Sequence, residues 1–353
     1  MKKIKVLHCP LNNGNHRWLL SRAERRLGVA SDLVIFKSNP FYNNYDKNLQ
    51  IDFPTLFNEI KRINFFRQAI KNYDIFHFNF GQSILDHPFP GFNLLDLPLL
   101  KKLDKKVVMT YQGDDVRIKK YYLDQYGYGP YNNTRYSLGD RFWDYERSLR
   151  VKKVSRYADK IFAISPDLLH FLPEKAELFL TLVDIDNLKF RPPQKKKRLT
   201  IVHAPSDRSA KGTEFIINAV KEISRQYPIN FVLIEKMPQK QALALYRQAD
   251  LCLDQVLVGW YGTFAVEMMA LGVPVIAYLR QEDLEKFVPF KDEIPVVNTD
   301  KDHLKETVIM LLKNFSLRRK LAYQGRAYVE KYHHPLKAAQ RTKKVYQQLC
   351  GLD

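Results

Sequence analysis

Apolar positions along the chain fall into two successive series of short hydrophobic runs separated by longer amphipathic stretches. In the first series Ile4 to Cys9, Leu33 to Phe36, Asp74 to Phe80, Val107 to Thr110 and Lys160 to Ile164 read as short strands buried on both faces. Between them Arg17 to Leu27, Phe57 to Lys71, Leu94 to Leu103 and Phe142 to Tyr157 place apolar residues at helical spacing. Ser165-Pro166 has the N-cap and first-turn chemistry of another short helix. Asn39 to Asp52 reads as loop, and so does Tyr121 to Tyr136, which is rich in tyrosine, glycine and asparagine. Arg191-Pro192-Pro193 and the run Lys195 to Arg198 then read as a linker.

The second series repeats the first. Leu199 to His203 predicts a strand, Ala204 to Thr213 a polar loop, Glu214 to Arg225 a helix and Phe231 to Ile234 a strand. Gln239 to Gln248 predicts a helix and Leu251 to Asp254 a strand. A glycine-flanked loop then opens a helix near Thr263, which Gly272 and Pro274 end before a strand over Val273 to Tyr278. From Leu304 onward the pattern is helical, with a break at His333-His334-Pro335. The expected fold is α/β with two Rossmann-like, doubly wound domains. The expected boundaries are 1–190, a linker at 191–198, 199–327, and a helical segment at 328–353 that packs back on the first domain.

Composition agrees with a globular protein: 353 residues suit two domains, with 45% hydrophobic and 27% charged residues. Cys9, Cys252 and Cys350 lie far apart, which argues for a reducing compartment and against a disulfide framework or zinc site. Met1-Lys2-Lys3 leads directly into a strand, unlike a signal peptide, and no apolar run approaches the ~20 residues of a membrane span. The expected location is cytoplasmic, with peripheral contact at the inner membrane face as an open alternative. The net charge of +19 is spread over both halves, +10 in 1–191 and +9 in 192–353. It fits an anionic ligand, an anionic membrane or nucleic acid. Nucleic acid is disfavoured because no helix-turn-helix, zinc or RNA-recognition pattern is present.

Chemistry concentrates around Asp254 to Ile276. A helix N-terminus preceded by glycine presents backbone N–H groups and a positive dipole end to a phosphate. Glu267, about one turn in, stands where a carboxylate accepts two ribose hydroxyls. An ordinary core helix with Glu267 on a solvated face fits the same pattern. Arg208 and Lys211 follow the first strand of the second series and suit a diphosphate, or are solvated loop charges. Gly113-Asp114-Asp115 reads as a pocket edge without metal, or as a helix cap, with Asp115 and Arg117 as a local ion pair. His77 reads as a core or pocket-wall histidine. The helix over Phe57 to Lys71 either lies on an anionic membrane or packs its phenylalanines inward.

These motifs resemble glycosyltransferase family 4, enzymes of the GT-B architecture in which two Rossmann-like domains face each other across a cleft. The resemblance covers nearly the whole chain. It is carried most specifically by His203-Ala204-Pro205-Ser206, Arg208, Lys211-Gly212-Thr213, Gly259-Trp260-Tyr261-Gly262 and Glu267 to Val275, and more loosely by Asp74 to Phe78 and Gly113 to Arg117. It implies a retaining, metal-independent transfer from a UDP- or GDP-linked sugar to a glycan, lipid-linked or protein acceptor. No cofactor is implied. Arg208 and Lys211 would neutralise the leaving diphosphate, Gly262 and Thr263 would offer N–H groups, and Glu267 would hold the ribose. Gly14 and Asn15 would approach the donor phosphates, with Ser206, Gln112 and Asp114 as further substrate contacts.

Two positions depart from the family pattern. The first of the usual two glutamates falls at Gly259, and Gln112 stands where relatives often carry histidine. A GT-B protein that binds a nucleotide sugar or glycan without turning it over is therefore the alternative.

Overall fold

The computed structural model describes residues 3–39, 41–52, 55–87, 92–131 and 135–352. Residue 40 of the predicted loop, 88–91 of the proline-rich stretch before Leu94, and 132–134 of the tyrosine segment lie outside the described residues. The first half runs β1 (Lys5–Cys9), a 3-10 turn (Asn13–Asn15), α1 (His16–Arg26), β2 (Ala30–Ile35), β3 (Lys47–Asn48), α2 (Leu56–Asn72), β4 (Ile75–Asn79) and α3 (Asp96–Lys102). It continues with β5 (Lys106–Tyr111), α4 (Lys119–Tyr126), α5 (Leu138–Tyr157), β6 (Lys160–Ala163) and β7 (Ala176–Leu178). The second half runs β8 (Leu199–His203), α6 (Arg208–Lys211), α7 (Thr213–Ser224), β9 (Ile229–Leu233), α8 (Gln239–Tyr246), β10 (Leu251–Leu253) and α9 (Thr263–Leu271). It ends with β11 (Val275–Ala277), α10 (Gln281–Phe287), β12 (Val296–Asn298), α11 (Leu304–Lys313), α12 (Phe315–Tyr332) and α13 (Pro335–Leu349).

Two parallel sheets result. One has seven strands in the order β3-β2-β1-β4-β5-β6-β7, and the other five in the order β12-β11-β10-β8-β9. These are two Rossmann-like units, each with a point where the strand order reverses: between β1 and β4, and between β8 and β10. The first unit comprises Met1–Lys120, Tyr136–Leu182 and Pro335–Asp353, and the second Tyr121–Arg135 and Val183–His334. The second unit thus begins at Val183, before the expected linker. It also takes up most of the tyrosine segment expected in the first domain.

Local differences from the sequence reading have physical causes. Part of the tyrosine segment is helix rather than loop: Tyr122 is buried and packs its ring against Tyr121, Tyr126 and Tyr131, so tertiary contacts override the turn-forming residues around it. The polar loop after β8 contains the single helical turn α6, capped by Asp207. The strands β3, β7 and β12 and the helix α10 were not anticipated. The strands are two or three residues long, too short for an alternating pattern to register.

In the first unit, right-handed crossovers put α2, α3 and α5 on one face of the sheet. There Phe65, Phe66, Leu97, Leu100 and Val154 share a core with Phe76, Phe78 and Met109. The other face is covered by α1 and α13, where Leu20, Ala23, Ala339 and Tyr346 pack on Val6, Ile75 and Val108. A buried polar network runs through this second layer. Glu24 lies 2.8 Å from His8 Nε2 and accepts from Ser31 (2.7 Å) and Thr342 (2.7 Å). His77 is indeed a core histidine, bonded to Arg17 (2.9 Å), Thr110 (2.9 Å) and Tyr346 (2.7 Å). Burial, reinforced by Arg17, holds its pKa well below the ordinary value. Burial alone would raise the Glu24 carboxyl, but His8 and the hydroxyl donors outweigh it and lower its pKa.

Removing Glu24 orphans its buried partners, so Glu24→Ala should cost about 3–5 kcal/mol in urea unfolding at neutral pH. Because the folded pKa of Glu24 lies below its reference value of 4.5, its stabilisation is complete above that pH and fades as pH falls through the folded pKa. The gap between variant and parent should therefore narrow in acid.

Candidate functional site

In the second unit the strand order reverses between β8 and β10, and both strands end at the same edge of the sheet. His203 closes β8. Its Nδ1 donates to the Leu253 carbonyl (2.8 Å), which fixes the tautomer, and its Nε2 accepts from the Thr213 hydroxyl (2.9 Å). Burial pushes its pKa down to about 4, so the ring is a neutral tie between the ends of β8 and β10. The segments 204–212 and 254–262 leave from this edge.

On α6, Arg208 and Lys211 stand three residues apart. The Lys211 ammonium turns to the carboxylate of Asp254 (3.4 Å) and to the side-chain amide oxygen Oε1 of Gln255. Gln255 in turn donates to the Trp260 carbonyl. Arg208 instead points outward, about half exposed, to Glu214 (3.0 Å) and Glu235 (3.4 Å). Asp254 is buried and also accepts from the backbone N–H of Gly262 (2.5 Å), the N-cap residue of α9. The Gly262 N–H is thus engaged within the protein itself, by the Asp254 carboxylate that follows β10. Gly262 is needed for closeness, since a methyl there would lie 2.7 Å from Lys211 Nζ. Lys211, Asp254, Gln255 and the start of α9 at Gly262 and Thr263 therefore form one cluster. Asp254 and Gln255 have no role in the sequence-based expectation. The signal was a carboxylate and an amide at the end of a strand that opens on a ligand edge.

Glu267 lies in the second turn of α9 and is buried rather than on a solvated face. It accepts from Gln239 of α8, a residue not anticipated at the site, and burial raises its pKa to about 7. Ser206 is exposed in the loop after β8. Trp260 and Tyr261 stack at 4.3 Å, and the Tyr261 hydroxyl meets those of Tyr328 (2.7 Å) and His333 Nε2 (3.1 Å), which anchors the loop before α9.

Gly259 has φ +91°, and a methyl there would stand 2.8 Å from the Arg280 guanidinium. Arg280 is buried, pairs with Asp283 (2.9 Å) and lies over the Tyr126 ring at 4.1 Å. A glutamate at 259 would meet both a left-handed backbone and an occupied space.

In the first unit the corresponding edge carries the remaining expected residues. Gly14 and Asn15 both have positive φ in the 3-10 turn between β1 and α1. The Asn15 side-chain oxygen Oδ1 accepts from the side-chain amides of Asn12 (3.1 Å) and Asn44 (3.2 Å). After β5, Asp115 accepts from the backbone N–H groups of Gln112 (3.0 Å) and Gly113 (2.6 Å) and so closes the turn. Arg117 pairs with Asp167 (2.8 Å) and Asp114 (3.4 Å), and its charge also acts on the Asp115 carboxyl. The Gln112 side-chain amide is buried, and neither its oxygen nor its nitrogen has a hydrogen-bond partner among the described residues. Asp114 is exposed beside it, at the edge of a pocket of about 360 Å³ shared with Arg62, His87, Trp143 and Arg147. Among the described residues no cluster of three or more His, Cys, Asp or Glu could hold a metal, and no helix is long and apolar enough to cross a membrane.

The two Rossmann-like units have the GT-B fold, and residues 199–344 match the family model described as glycosyl transferase-like. Over its full length the chain is similar in fold to sucrose-phosphate synthase from Thermosynechococcus elongatus (16% identity, TM-score 0.66, covering 100% of both chains). It is similar as well to HepE of Anabaena, solved with UDP-glucose (11% identity, TM-score 0.66, 98% of this chain and 100% of that one). A third neighbour is the catalytic domain of starch synthase IV from Arabidopsis thaliana bound to ADP and acarbose (11% identity, TM-score 0.62, 99% of both). No curated protein matches by sequence.

Replacing Gly259 by alanine should destabilise the fold by about 1–2 kcal/mol from the left-handed backbone alone, and by more if Arg280 is displaced. Urea unfolding of Gly259→Ala against the parent measures this.

Proposed function

We propose that the protein is a retaining, metal-independent glycosyltransferase of family 4. It moves a sugar from a UDP- or GDP-linked donor to a glycan, lipid-linked or protein acceptor. The observation that carries this reading is the Lys211 ammonium, held against the start of α9 by Asp254 and Gln255. An ammonium has three N–H donors. Two are directed to Asp254 and Gln255, and the third remains for a phosphate oxygen at the helix N-terminus, where the dipole also favours an anion. HepE, solved with UDP-glucose, shares the fold, which supports a nucleotide-sugar donor here.

In the proposed reaction the bond from the anomeric carbon to the diphosphate oxygen breaks, and an acceptor hydroxyl bonds that carbon from the same face. The hydroxyl proton passes to the departing phosphate, so no protein base is required and glutamine at 112 is tolerated. Lys211 stabilises the charge that develops on the diphosphate, and Arg208 joins it by exchanging its exposed partners Glu214 and Glu235 for phosphate. Thr263 adds its backbone N–H, and Gly262 does so when the ligand replaces Asp254. Glu267 accepts from the ribose hydroxyls once Gln239 yields. Gly14, Asn15 and Ser206 approach the phosphates, and Gln112 and Asp114 bond sugar hydroxyls. The orphaned Gln112 amide supports that last role. Gly259, backed by Arg280, favours a second reading in which donor binds without turnover.

A thermal-shift screen against UDP, GDP, ADP and their sugar conjugates should raise the melting temperature with one nucleotide family. No shift with any of them would overturn the donor site. Lys211→Ala should lower transfer by about 10²–10³, whereas near-normal turnover in the folded variant would remove Lys211 from the mechanism. If transfer is absent from the parent while donor still binds, the second reading replaces the first.

Glu267 is protonated in the free protein below pH about 7, so donor affinity should fall as pH drops through that value, by up to about tenfold per unit. Isothermal titration across pH 5.5–8.5 tests this (roughly the range where such a group titrates), and Glu267→Gln should flatten the profile.

A further inference from the structure

The helix α5 is built with its polarity reversed. Its inward positions include the buried carboxylates Asp144 and Glu146. Asp144 accepts from the backbone N–H groups of Lys119 (2.9 Å) and Lys120 (3.0 Å), and Glu146 accepts from Asn93 (2.5 Å) and Arg150 (3.3 Å). Outward, at spacings of four, three and four, stand Leu138, Phe142, Tyr145 and Leu149, all exposed, with Trp143 beside them. Leu138 is 84% exposed. The same stripe continues as Lys152 and Arg156.

The helix α2 carries a second outward stripe. Phe65, Phe66 and Ala69 face the core, but Leu56, Phe57, Ile60 and Ile63 are exposed on the opposite side, with Arg67 and Lys71 continuing the row. A third set, Leu95, Leu99 and Leu103, is exposed along α3. These three helices form the single layer on one face of the seven-stranded sheet, so their outer sides share one surface. Two of them, α2 and α5, are tied through Asp86: Arg62 of α2 donates to its carbonyl (2.7 Å) and Arg150 of α5 to its carboxylate (2.9 Å).

We infer that this outer face of the first unit docks on an anionic lipid bilayer. Apolar residues exposed in rows on three adjacent helices exceed what scattered surface residues explain. Charge decides the occupant. The rows are flanked by Lys61, Arg67, Lys71, Arg141, Lys152 and Arg156, while the carboxylates of α5 are turned inward or, at Asp140, tied to Ser137 and Lys119. A second copy of a chain with net charge +19 would bring like charge against like. An anionic bilayer brings the opposite sign and an apolar interior for the leucine and phenylalanine side chains. The inference deepens the acceptor side of the proposed function by favouring an acceptor presented at a membrane surface. It rests on the first unit alone, and its test uses no donor, so its failure leaves the transferase reading standing.

The test is co-sedimentation of the full-length protein with vesicles of phosphatidylcholine alone or with about one-third phosphatidylglycerol, over a salt series. Each cation near an anionic surface strengthens partitioning about fivefold. Binding should therefore be at least about a hundredfold stronger to the anionic vesicles and weaken steeply with salt. Leu138→Glu with Phe142→Glu, and separately Ile60→Glu with Ile63→Glu, should each lower it at least about tenfold. These side chains are exposed, so melting temperatures should stay near that of the parent. No binding to anionic vesicles would overturn the inference. So would equal binding by the folded variants, or a concentration-dependent dimer of the parent that the same substitutions abolish.

Discussion

A parallel sheet covered by helices on both faces has only its strand ends to offer a ligand. Among the described residues the named strands of both sheets pair in parallel, so this constraint governs both units. Backbone groups at the C-terminal edges are left without ladder partners, and the loops that cap them carry the side chains that do chemistry. The strand order reverses at β8 and β10, which parts the connecting loops. His203, Asp254 and α6 all issue from that point.

Within that frame one carboxylate sets the local geometry. Asp254 is buried at the end of β10 and holds both the Gly262 N–H and the Lys211 ammonium. It keeps a cation and a helix N-terminus close together. The surrounding residues serve the same arrangement. Gly262 lacks the side chain that would push Lys211 away, His203 ties the two strand ends, and Tyr261 moors the loop to Tyr328 and His333.

Much of this was legible in the sequence. Strands buried on both faces are continuous apolar runs, and glycine with proline after a helix marks its end, so the two repeats of strand and helix could be read directly. Arg208, Lys211, Gly262 and Glu267 stand out in the sequence by their chemistry and their place after predicted strands; the fold brings Lys211 to Gly262, while Arg208 points outward. What was not legible depends on tertiary partners. Gln239 looks like an ordinary helix-start glutamine until α8 brings it to Glu267. The engagement of the Gly262 N–H needs the path of the Asp254 side chain. The tyrosine segment reads as loop by composition and becomes helix through ring packing with Tyr122 and Arg280. The polarity of α5 was hidden because apolar residues lie on one side and buried carboxylates on the other, which blurs the amphipathic signal.

The helix α13 covers a face of the first unit, yet more than 150 residues separate it in sequence from β7. During synthesis at roughly 5–20 residues per second, the sheet that begins the chain stands without this cover for on the order of ten seconds. Over that interval Val6, Leu20, Ala23 and Ile75 are open to water, and Glu24 lacks Thr342. The second unit is made during the same interval, so the nascent chain must carry an uncovered apolar surface while its other half folds. A chaperone that masks hydrophobic surface would find its binding site on the α1 side of the first unit, and release would come when α13 takes its place.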